Sequence, residues 1–174
     1  DMAKMKIEYL HQHQQRHGLS TKDKLIAYLP RYAPYAAKFS RLLNLRDAIP
    51  RLAQWSEEKL GFSARRPLPK WRPDYFRVNQ SRSDPANGGR DVALFVDTFT
   101  TYFEPENARS ALRVLRAAHY NIHLPRAASS SRPLCCGRTF LSVGLVDEAK
   151  KEAQRLVTAM LPYMEQDIPI VGLE

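Results

Sequence analysis

The stretch Val92-Ala93-Leu94-Phe95-Val96-Asp97-Thr98-Phe99 decides the fold of this 174-residue chain. Its opening part, residues 92–96, is an uninterrupted apolar run, which is typical of a strand buried on both faces of a sheet. Glu104-Pro105-Glu106 then predicts the start of a helix, because proline suits the first turn and acids suit the positive helix end. The pattern continues with a strand at 120–124, a long helix at 145–164 and a strand at 168–173.

This order of elements predicts an α/β fold, with a small parallel sheet and right-handed crossover helices over residues 91–174. Ligands of such sheets gather at the carboxyl ends of the strands. We therefore expect Asp97-Thr98-Phe99, the loop after the second strand and Glu174 to lie at one edge. The long helix is expected to bury one apolar face, made of Val146, Ala149, Ala153, Leu156, Val157 and Met160.

The loop after the second strand contains Leu134-Cys135-Cys136-Gly137-Arg138, which holds both cysteines of the chain. Adjacent cysteines are poor structural staples, because a disulfide between them is strained and closes almost no loop. They place soft thiolates at one point, which suits a metal, an iron–sulfur cluster or redox exchange. The alternative is a pair of small apolar core residues. Gly137 permits a sharp turn, and backbone N–H groups before a helix, together with Arg138, favour the thiolate.

Residues 1–61 are predicted to be helical, because their apolar residues recur at spacings of three and four. Helices are expected at 2–17, 22–29, 32–45 and 46–60, with Ser20 or Thr21 as a cap, Pro50 as an interruption, and Gly18, Pro30 and Gly61 as terminators. Residues 62–90 contain Pro67, Pro69 and Pro73 among arginines and a tryptophan. That stretch is predicted to be an extended linker or docking arm between the helical region and the sheet.

The net charge of +9 is concentrated in the first half of the chain. Residues 1–90 carry 18 Lys and Arg against 8 Asp and Glu, whereas residues 91–174 carry 9 against 10. Cations interleave with aromatics at 65–77, a pattern compatible with binding single-stranded nucleic acid, and basic helices are compatible with an anionic membrane. Docking on an acidic surface of another domain is the preferred interpretation.

Several classes of protein are disfavoured by the sequence. No apolar run approaches the roughly 20 residues that span a bilayer, and the first residues are too polar for a signal peptide. Two adjacent cysteines are not a disulfide framework, so a reducing, cytoplasmic setting is expected despite the sequon Asn79-Gln80-Ser81. The serine run at 129–131 lacks the context of a nucleophile and is predicted to be a flexible loop. Helical His13 and His17 lack the intervening glutamate of a metalloprotease and are expected on a solvated face, and His119 and His123 on the surface.

Three segments resemble the cysteine-rich CCG domain of iron–sulfur oxidoreductases: Asp97–Pro105, Cys135–Arg138 and Gly144–Ala149. The likeness is greatest to the C-terminal region of bacterial FAD-linked dehydrogenase fusions that act on D-2-hydroxy acids such as lactate, glycolate or 2-hydroxyglutarate. Residues 1–6 are similar to the segment that follows the ferredoxin cysteines in those fusions. The resemblance implies a domain that relays electrons from reduced flavin, through a ferredoxin-like module, to an acceptor.

The resemblance also implies the site. Cys135 and Cys136 would ligate an iron–sulfur cluster of the 4Fe–4S kind, with Gly137 at the cofactor-binding turn and no catalytic residue in this chain. The family has a further cysteine where this chain has Thr98, and others after the third strand. A four-coordinate iron or zinc site needs more than two protein ligands. We therefore expect a fragment of a longer protein, without a cluster and inactive alone, whose remaining ligands lie elsewhere.

The implied partners are the flavin-binding and ferredoxin-like modules of the same parent protein, with FAD bound outside this chain. This interpretation fits a membrane-associated electron acceptor. It also fits a location in the cytoplasm or at the periphery of the inner membrane. It does not include nucleic acid as a partner. Three alternatives stay open: a zinc-binding CCG module, a thiol-redox module without a cluster, and a basic nucleic-acid-binding module. Asp97, Tyr102 and Glu104 either line the site or serve as a loop hydrogen-bonder, packing and a helix-start acid respectively.

Overall fold

The computed structural model of the chain describes residues 1–77, 89–127 and 132–173. It confirms the predicted α/β class: helices come first, and a small parallel sheet with intervening helices follows. The sequon, the serine run at 129–131 and Glu174 all lie outside the described residues. The elements in chain order are α1 Met2–His17, α2 Thr21–Ala27, α3 Leu29–Ala36, α4 Ser40–Ala48, α5 Pro50–Leu60, β1 Arg90–Phe95, α6 Thr98–Tyr102, α7 Pro105–Ala117, β2 Tyr120–His123, α8 Arg138–Leu141, α9 Val146–Met164 and β3 Ile170–Gly172.

The chain divides into two compact units, each built from separate stretches of sequence. The helical unit contains residues 1–73 and 137–152, and the sheet unit contains residues 74–136 and 153–174. Helix α9 begins in the helical unit and ends in the sheet unit. The predicted domain boundaries after residues 61 and 90 stay a prediction.

The first helices begin and end close to their predicted positions. Ser20 caps α2, since its hydroxyl oxygen accepts a hydrogen bond of 3.1 Å from the backbone N–H of Asp23. Gly18 and Gly61 follow α1 and α5 with φ of 73° and 77°, values that favour glycine. The prediction that Pro30 ends a helix is wrong. Pro30 lies in the first turn of α3, where its missing N–H costs nothing.

The predicted continuous helix at 32–45 is also wrong. It is divided into α3, a short 3₁₀ turn at Ala37–Phe39 and α4. Pro50 likewise begins α5 rather than interrupting one longer helix, because Ile49 before it is extended, with ψ of 107°. Prolines in this half therefore mark helix starts at residues where the sequence analysis predicted continuations or ends.

The segment that follows α5 is extended and is held to α4 by polar contacts. Arg46 donates hydrogen bonds to the carbonyl oxygens of Phe62 and Ser63 at 3.0 and 2.7 Å. The side chain of Asn44 accepts from the N–H of Trp71 and donates to its carbonyl, both at 2.9 Å. Asp47 accepts from the N–H of Leu68 at 2.9 Å. The early part of the predicted arm is thus fastened to the helical unit, through backbone groups that an extended chain leaves available.

The sheet unit is built around three parallel strands in the order β2-β1-β3, with β1 in the centre. Val92 pairs with Ile122 of β2, and Leu94 pairs with Val171 of β3. The core beneath the sheet comprises Phe76, Val92, Leu94, Ala108, Leu112 and Ile122. The central apolar strand therefore has the burial that its composition predicts.

The apolar face predicted for α9 is confirmed only in part. Ala149 and Met160 are buried, whereas Val157 is 53% exposed, so its place on a buried face is wrong. Glu152, which is not among the predicted residues, is 2% exposed. Periodicity assigns one face along a whole helix, but different parts of α9 belong to different units.

Candidate functional site

The two cysteines differ sharply in their access to solvent. Cys135 is 5% exposed, whereas Cys136 is exposed. Leu134 before them is also buried. One cysteine is thus shielded by protein and the other is reachable from solvent, and the choice between core residue and ligand stays a prediction.

Gly137 makes the turn directly after the cysteines, as its sequence position predicts. Its φ of 85° and ψ of 0° lie in the left-handed region, and it caps the start of α8. A Cβ at this position would stand 2.7 Å from the carbonyl oxygen of Ala149. Glycine is therefore required here twice, once by the backbone angle and once by a neighbouring helix. No sequence pattern signalled the second requirement.

The electrostatic support predicted for the thiolates is weaker than expected. The helix after the cysteines, α8, has only four residues, too few aligned peptide dipoles to build a strong positive end. Arg138 lies in its first turn.

The backbone immediately before the cysteines is held by α9. Arg155 donates from Nη2 to the carbonyl oxygens of Arg132 and Pro133, at 2.5 and 3.0 Å. All three residues belong to the sheet unit. A guanidinium that binds consecutive carbonyls fixes the path of the chain one residue before Leu134. This contact was missed in the sequence analysis, because nothing in the spacing of residues 132 and 155 signals it.

The segment after the cysteines is anchored within the helical unit. Thr139 donates a buried hydrogen bond of 3.0 Å to the carbonyl oxygen of Ala27. Phe140 is fully buried and meets the ring of Tyr28 edge-on, with centroids 5.2 Å apart. The Arg31 guanidinium carbon lies 4.8 Å from the centroid of Phe140. These contacts fix the exit of the cysteine loop.

Arg31 also organises a charged cluster with the first turns of α9. It forms ion pairs with Glu148 and with Glu152, the latter at 3.6 Å. Hydrogen bonds from Lys151 and Arg31 lower the pKa of the Glu148 carboxyl, which keeps it ionised. Residues 31 and 148 are far apart in the chain, so a single sequence offers no signal for this pair.

The residues expected at the strand-end edge mostly have local roles. Asp97 caps α6, accepting a hydrogen bond of 2.8 Å from the N–H of Thr100. Glu104 accepts from the side-chain amide of Asn107 at 2.8 Å. Tyr102 is buried with its ring centroid 5.3 Å from that of Tyr75, and burial raises its pKa to about 12. These contacts match the local explanations: a loop hydrogen-bonder, a helix-start acid and packing.

Thr98 differs from its neighbours. It is 1% exposed, and its hydroxyl oxygen is buried with no hydrogen-bond partner in the described part of the chain. A buried polar atom without a partner is costly and marks a place where another group fits.

The histidines make separate contacts in different parts of the chain. Nδ1 of His11 lies 3.0 Å from the carbonyl oxygen of Gly144, and His13 and His17 stack at 4.6 Å between centroids on α1. Nε2 of His123 lies 2.7 Å from a carboxylate oxygen of Asp91. A cavity of about 390 Å³ in the helical unit is lined by His11, Gln14 and Tyr28 together with Gly144–Glu148. Neither cysteine lines that cavity.

The described residues do not fit a complete iron–sulfur or zinc centre. Across 1–77, 89–127 and 132–173, no group of three or more His, Cys, Asp and Glu side chains is arranged to hold a metal ion. The cysteine pair supplies at most half of a four-thiolate set, and the orphaned hydroxyl of Thr98 is a poor ligand for such clusters.

The chain is similar to one component of an oxidoreductase. It is 24% identical over 136 residues, or 77% of its length, to a subunit of the anaerobic glycerol-3-phosphate dehydrogenase of Escherichia coli strain K12, and equally to the same subunit in Escherichia coli O157:H7. The aligned part covers 33% of each relative, so the chain spans about a third of their length. No protein-family model and no solved structure matches it. Among the described helices, none has the length and apolar character needed to cross a membrane.

Proposed function

We propose that this chain is an electron-transfer module of an FAD-linked oxidoreductase that acts on a D-2-hydroxy acid. The observation that carries the proposal is the adjacent pair Cys135-Cys136, followed by a left-handed Gly137, in a chain similar to a dehydrogenase subunit. The substrate class comes from the resemblance of Asp97–Pro105, Cys135–Arg138 and Gly144–Ala149 to the CCG domain.

In this proposal Cys135 and Cys136 supply thiolates to an iron–sulfur centre that other segments of the parent protein complete. Gly137 permits the turn, and Arg155 and Thr139 fix the backbone on either side. FAD, the ferredoxin-like module and the oxidation of the hydroxy acid belong to other parts of the parent protein. The proposed location is the cytoplasm or the cytoplasmic face of the inner membrane, near a membrane-associated acceptor.

The test uses the full protein encoded by the gene, purified without oxygen and reconstituted with iron and sulfide. Single variants Cys135→Ser and Cys136→Ser are compared with Thr98→Ala as the control. We expect each cysteine variant to lose the part of the bound iron, of the visible absorption and of the electron paramagnetic resonance signal that belongs to this cluster, while the flavin and the ferredoxin-like module keep theirs. Bound flavin should be unchanged in all variants, and Thr98→Ala should keep the cluster signal.

Other outcomes identify the alternatives. Unchanged cluster signals in both cysteine variants contradict the proposal. Stoichiometric zinc, with the same visible absorption in the wild type and the cysteine variants after iron reconstitution, identifies a zinc module. Activity that survives metal removal but is lost in Cys135→Ser identifies a thiol-redox module. Oligonucleotide binding that falls steeply with salt identifies a nucleic-acid module. A turnover survey of D-lactate, glycolate and D-2-hydroxyglutarate tests the substrate class separately.

A further inference from the structure

An apolar stripe on α4 and α5 is exposed, although within each helix its residues recur at the spacing of a face made for burial. It consists of Phe39 and Ile49, which precede the two helices, Leu42 and Leu45 on α4, and Leu52 and Trp55 on α5, each 40–65% exposed. Amphipathic helices of a folded domain normally turn such a stripe inward. Here the buried residues of the two helices are the small Ser40, Ala53 and Ser56.

The charges around this stripe are mostly positive, and Glu58, one turn after Trp55, is an exposed acid at its end. Lys38, Arg41 and Arg51 are exposed beside it. The sole acid between residues 35 and 56, Asp47, is occupied by Arg46 and by the N–H of Leu68. The surface formed by Lys38–Trp55, which we call the α4–α5 surface, is therefore apolar and cationic.

We propose that the α4–α5 surface binds an anionic lipid bilayer, with its helices lying in the interface. Large aliphatic side chains supply the area that enters the acyl boundary, and a tryptophan suits the headgroup level. Lysine and arginine beside them meet the negative surface potential of anionic lipids. A second copy of the chain is a poor occupant, because it would bring the same cations face to face. The inference is independent of the proposed electron-transfer role.

The test measures binding of the purified chain to vesicles of phosphatidylcholine with and without 30% phosphatidylglycerol, by sedimentation and fluorescence. The variant Trp71→Phe leaves Trp55 as the single tryptophan, since the chain has two. We expect Trp55 emission to shift to shorter wavelength with anionic vesicles and to be quenched by brominated acyl chains. Partitioning into pure phosphatidylcholine should be at least about tenfold weaker, because the electrostatic attraction is lost.

Paired variants distinguish binding through the α4–α5 surface from binding that depends only on the positive charge of the whole chain. Arg41→Glu/Arg51→Glu should lower partitioning at least about tenfold, and Leu42→Ser/Leu52→Ser should remove the Trp55 shift. The matched control, Arg113→Glu/Arg116→Glu, changes the same charge on exposed positions of α7 and should bind nearly as wild type. Circular dichroism verifies that each variant is folded.

Four results overturn the proposal. The first is an unshifted Trp55 with anionic vesicles, and the second is equal loss of binding in the α7 control. The third is a photocrosslinker at position 42 that forms protein adducts in cells while the purified chain does not bind vesicles. That result would assign the surface to a protein partner. The fourth is self-association through this surface, seen by light scattering and removed by Leu42→Ser/Leu52→Ser, which would assign it to a second copy.

Discussion

The sheet unit and the helical unit are stabilised in different ways. The sheet unit buries large apolar side chains against a central strand, among them Leu94, Leu112 and Phe76. The helical unit has a smaller core, in which Phe140 packs with Ala27, Val143 and Ala149, and its helices are joined by polar contacts of Arg31, Asn44 and Arg46. Hydrophobic burial is strong and non-directional, whereas polar contacts are weak individually but specify geometry. The first unit should therefore respond most to lost volume, and the second to lost hydrogen bonds.

Leu94→Ala should cause the largest loss of stability among these variants, and it tests whether the sheet unit depends on buried apolar volume. Leu94 is 1% exposed in the central strand, so the variant leaves a cavity at the centre of the core. We expect the free energy of unfolding to fall by about 3 kcal/mol, measured by urea denaturation. Leu42→Ala is the matched control, since Leu42 is 65% exposed and should change stability by less than about 0.5 kcal/mol. Similar losses of stability in Leu94→Ala and Leu42→Ala would contradict the idea that buried volume stabilises the sheet unit.

Gly137→Ala tests the turn after the cysteines, where the helical unit depends on close backbone packing. The left-handed φ and the contact with the Ala149 carbonyl should together cost about 2 kcal/mol of unfolding free energy. Gly61→Ala is the control, because Gly61 is also left-handed, with φ of 77° and ψ of 14°, but an added Cβ would meet only the flexible side chain of Lys22, at 3.4 Å. It should lose about 1 kcal/mol. Equal losses at both positions would show that the contact with Ala149 contributes nothing.

Arg46→Met removes a polar contact centre from the helical unit and retains most of the side-chain volume. The carbonyls of Phe62 and Ser63 lose their donor, for an expected loss of about 1.5 kcal/mol. Hydrogen exchange should accelerate at the N–H groups of Leu68 and Trp71 and stay unchanged in β1. Arg41→Met, at an exposed position of α4, should leave exchange as in the wild type. Acceleration in β1 as well would indicate that the two units unfold together.

Acidification should cause the smallest loss of stability, and that loss should come from the helical unit. Lys151 and Arg31 lower the pKa of Glu148 in the folded state, so its ionised form contributes stability at neutral pH. That contribution is lost as pH falls below the unfolded value of about 4.5 and through the lower folded value. We expect less than about 1 kcal/mol, because Arg31 is partly exposed. Glu148→Gln should flatten the pH dependence of unfolding, whereas Glu58→Gln on α5 should leave it unchanged.

The sequence predicted the sheet unit well and the helical unit only in outline. The run at 92–96, the proline at 105 and the acids beside it are local signals, and each corresponds to an element. The helical unit depends on contacts between residues distant in sequence, such as Arg31 with Glu148 and Thr139 with Ala27. No periodicity encodes such pairs. The break at Ala37–Phe39 was missed for the same reason, because local spacing there supports a continuous helix.

The residues of the candidate site could be predicted from the sequence, but their arrangement in space could not. Adjacent cysteines and the following glycine are visible in one line of sequence, and Gly137 has the turn conformation expected of it. The different exposure of Cys135 and Cys136, the Arg155 contact and the orphaned Thr98 hydroxyl depend on packing. The role of the cysteines as ligands stays a prediction.

The discontinuity of the two units has a consequence for synthesis on the ribosome. Residues 1–73 cannot complete the helical unit until residues 137–152 have been made, so this part of the nascent chain waits for 79 further residues. At ordinary rates of translation that delay is roughly 4 to 16 s, far longer than the time a helix needs to form. During it, the surface that will receive Phe140 and Val143 stays uncovered. Chaperone dependence should therefore concentrate in this interval and decline once α9 emerges.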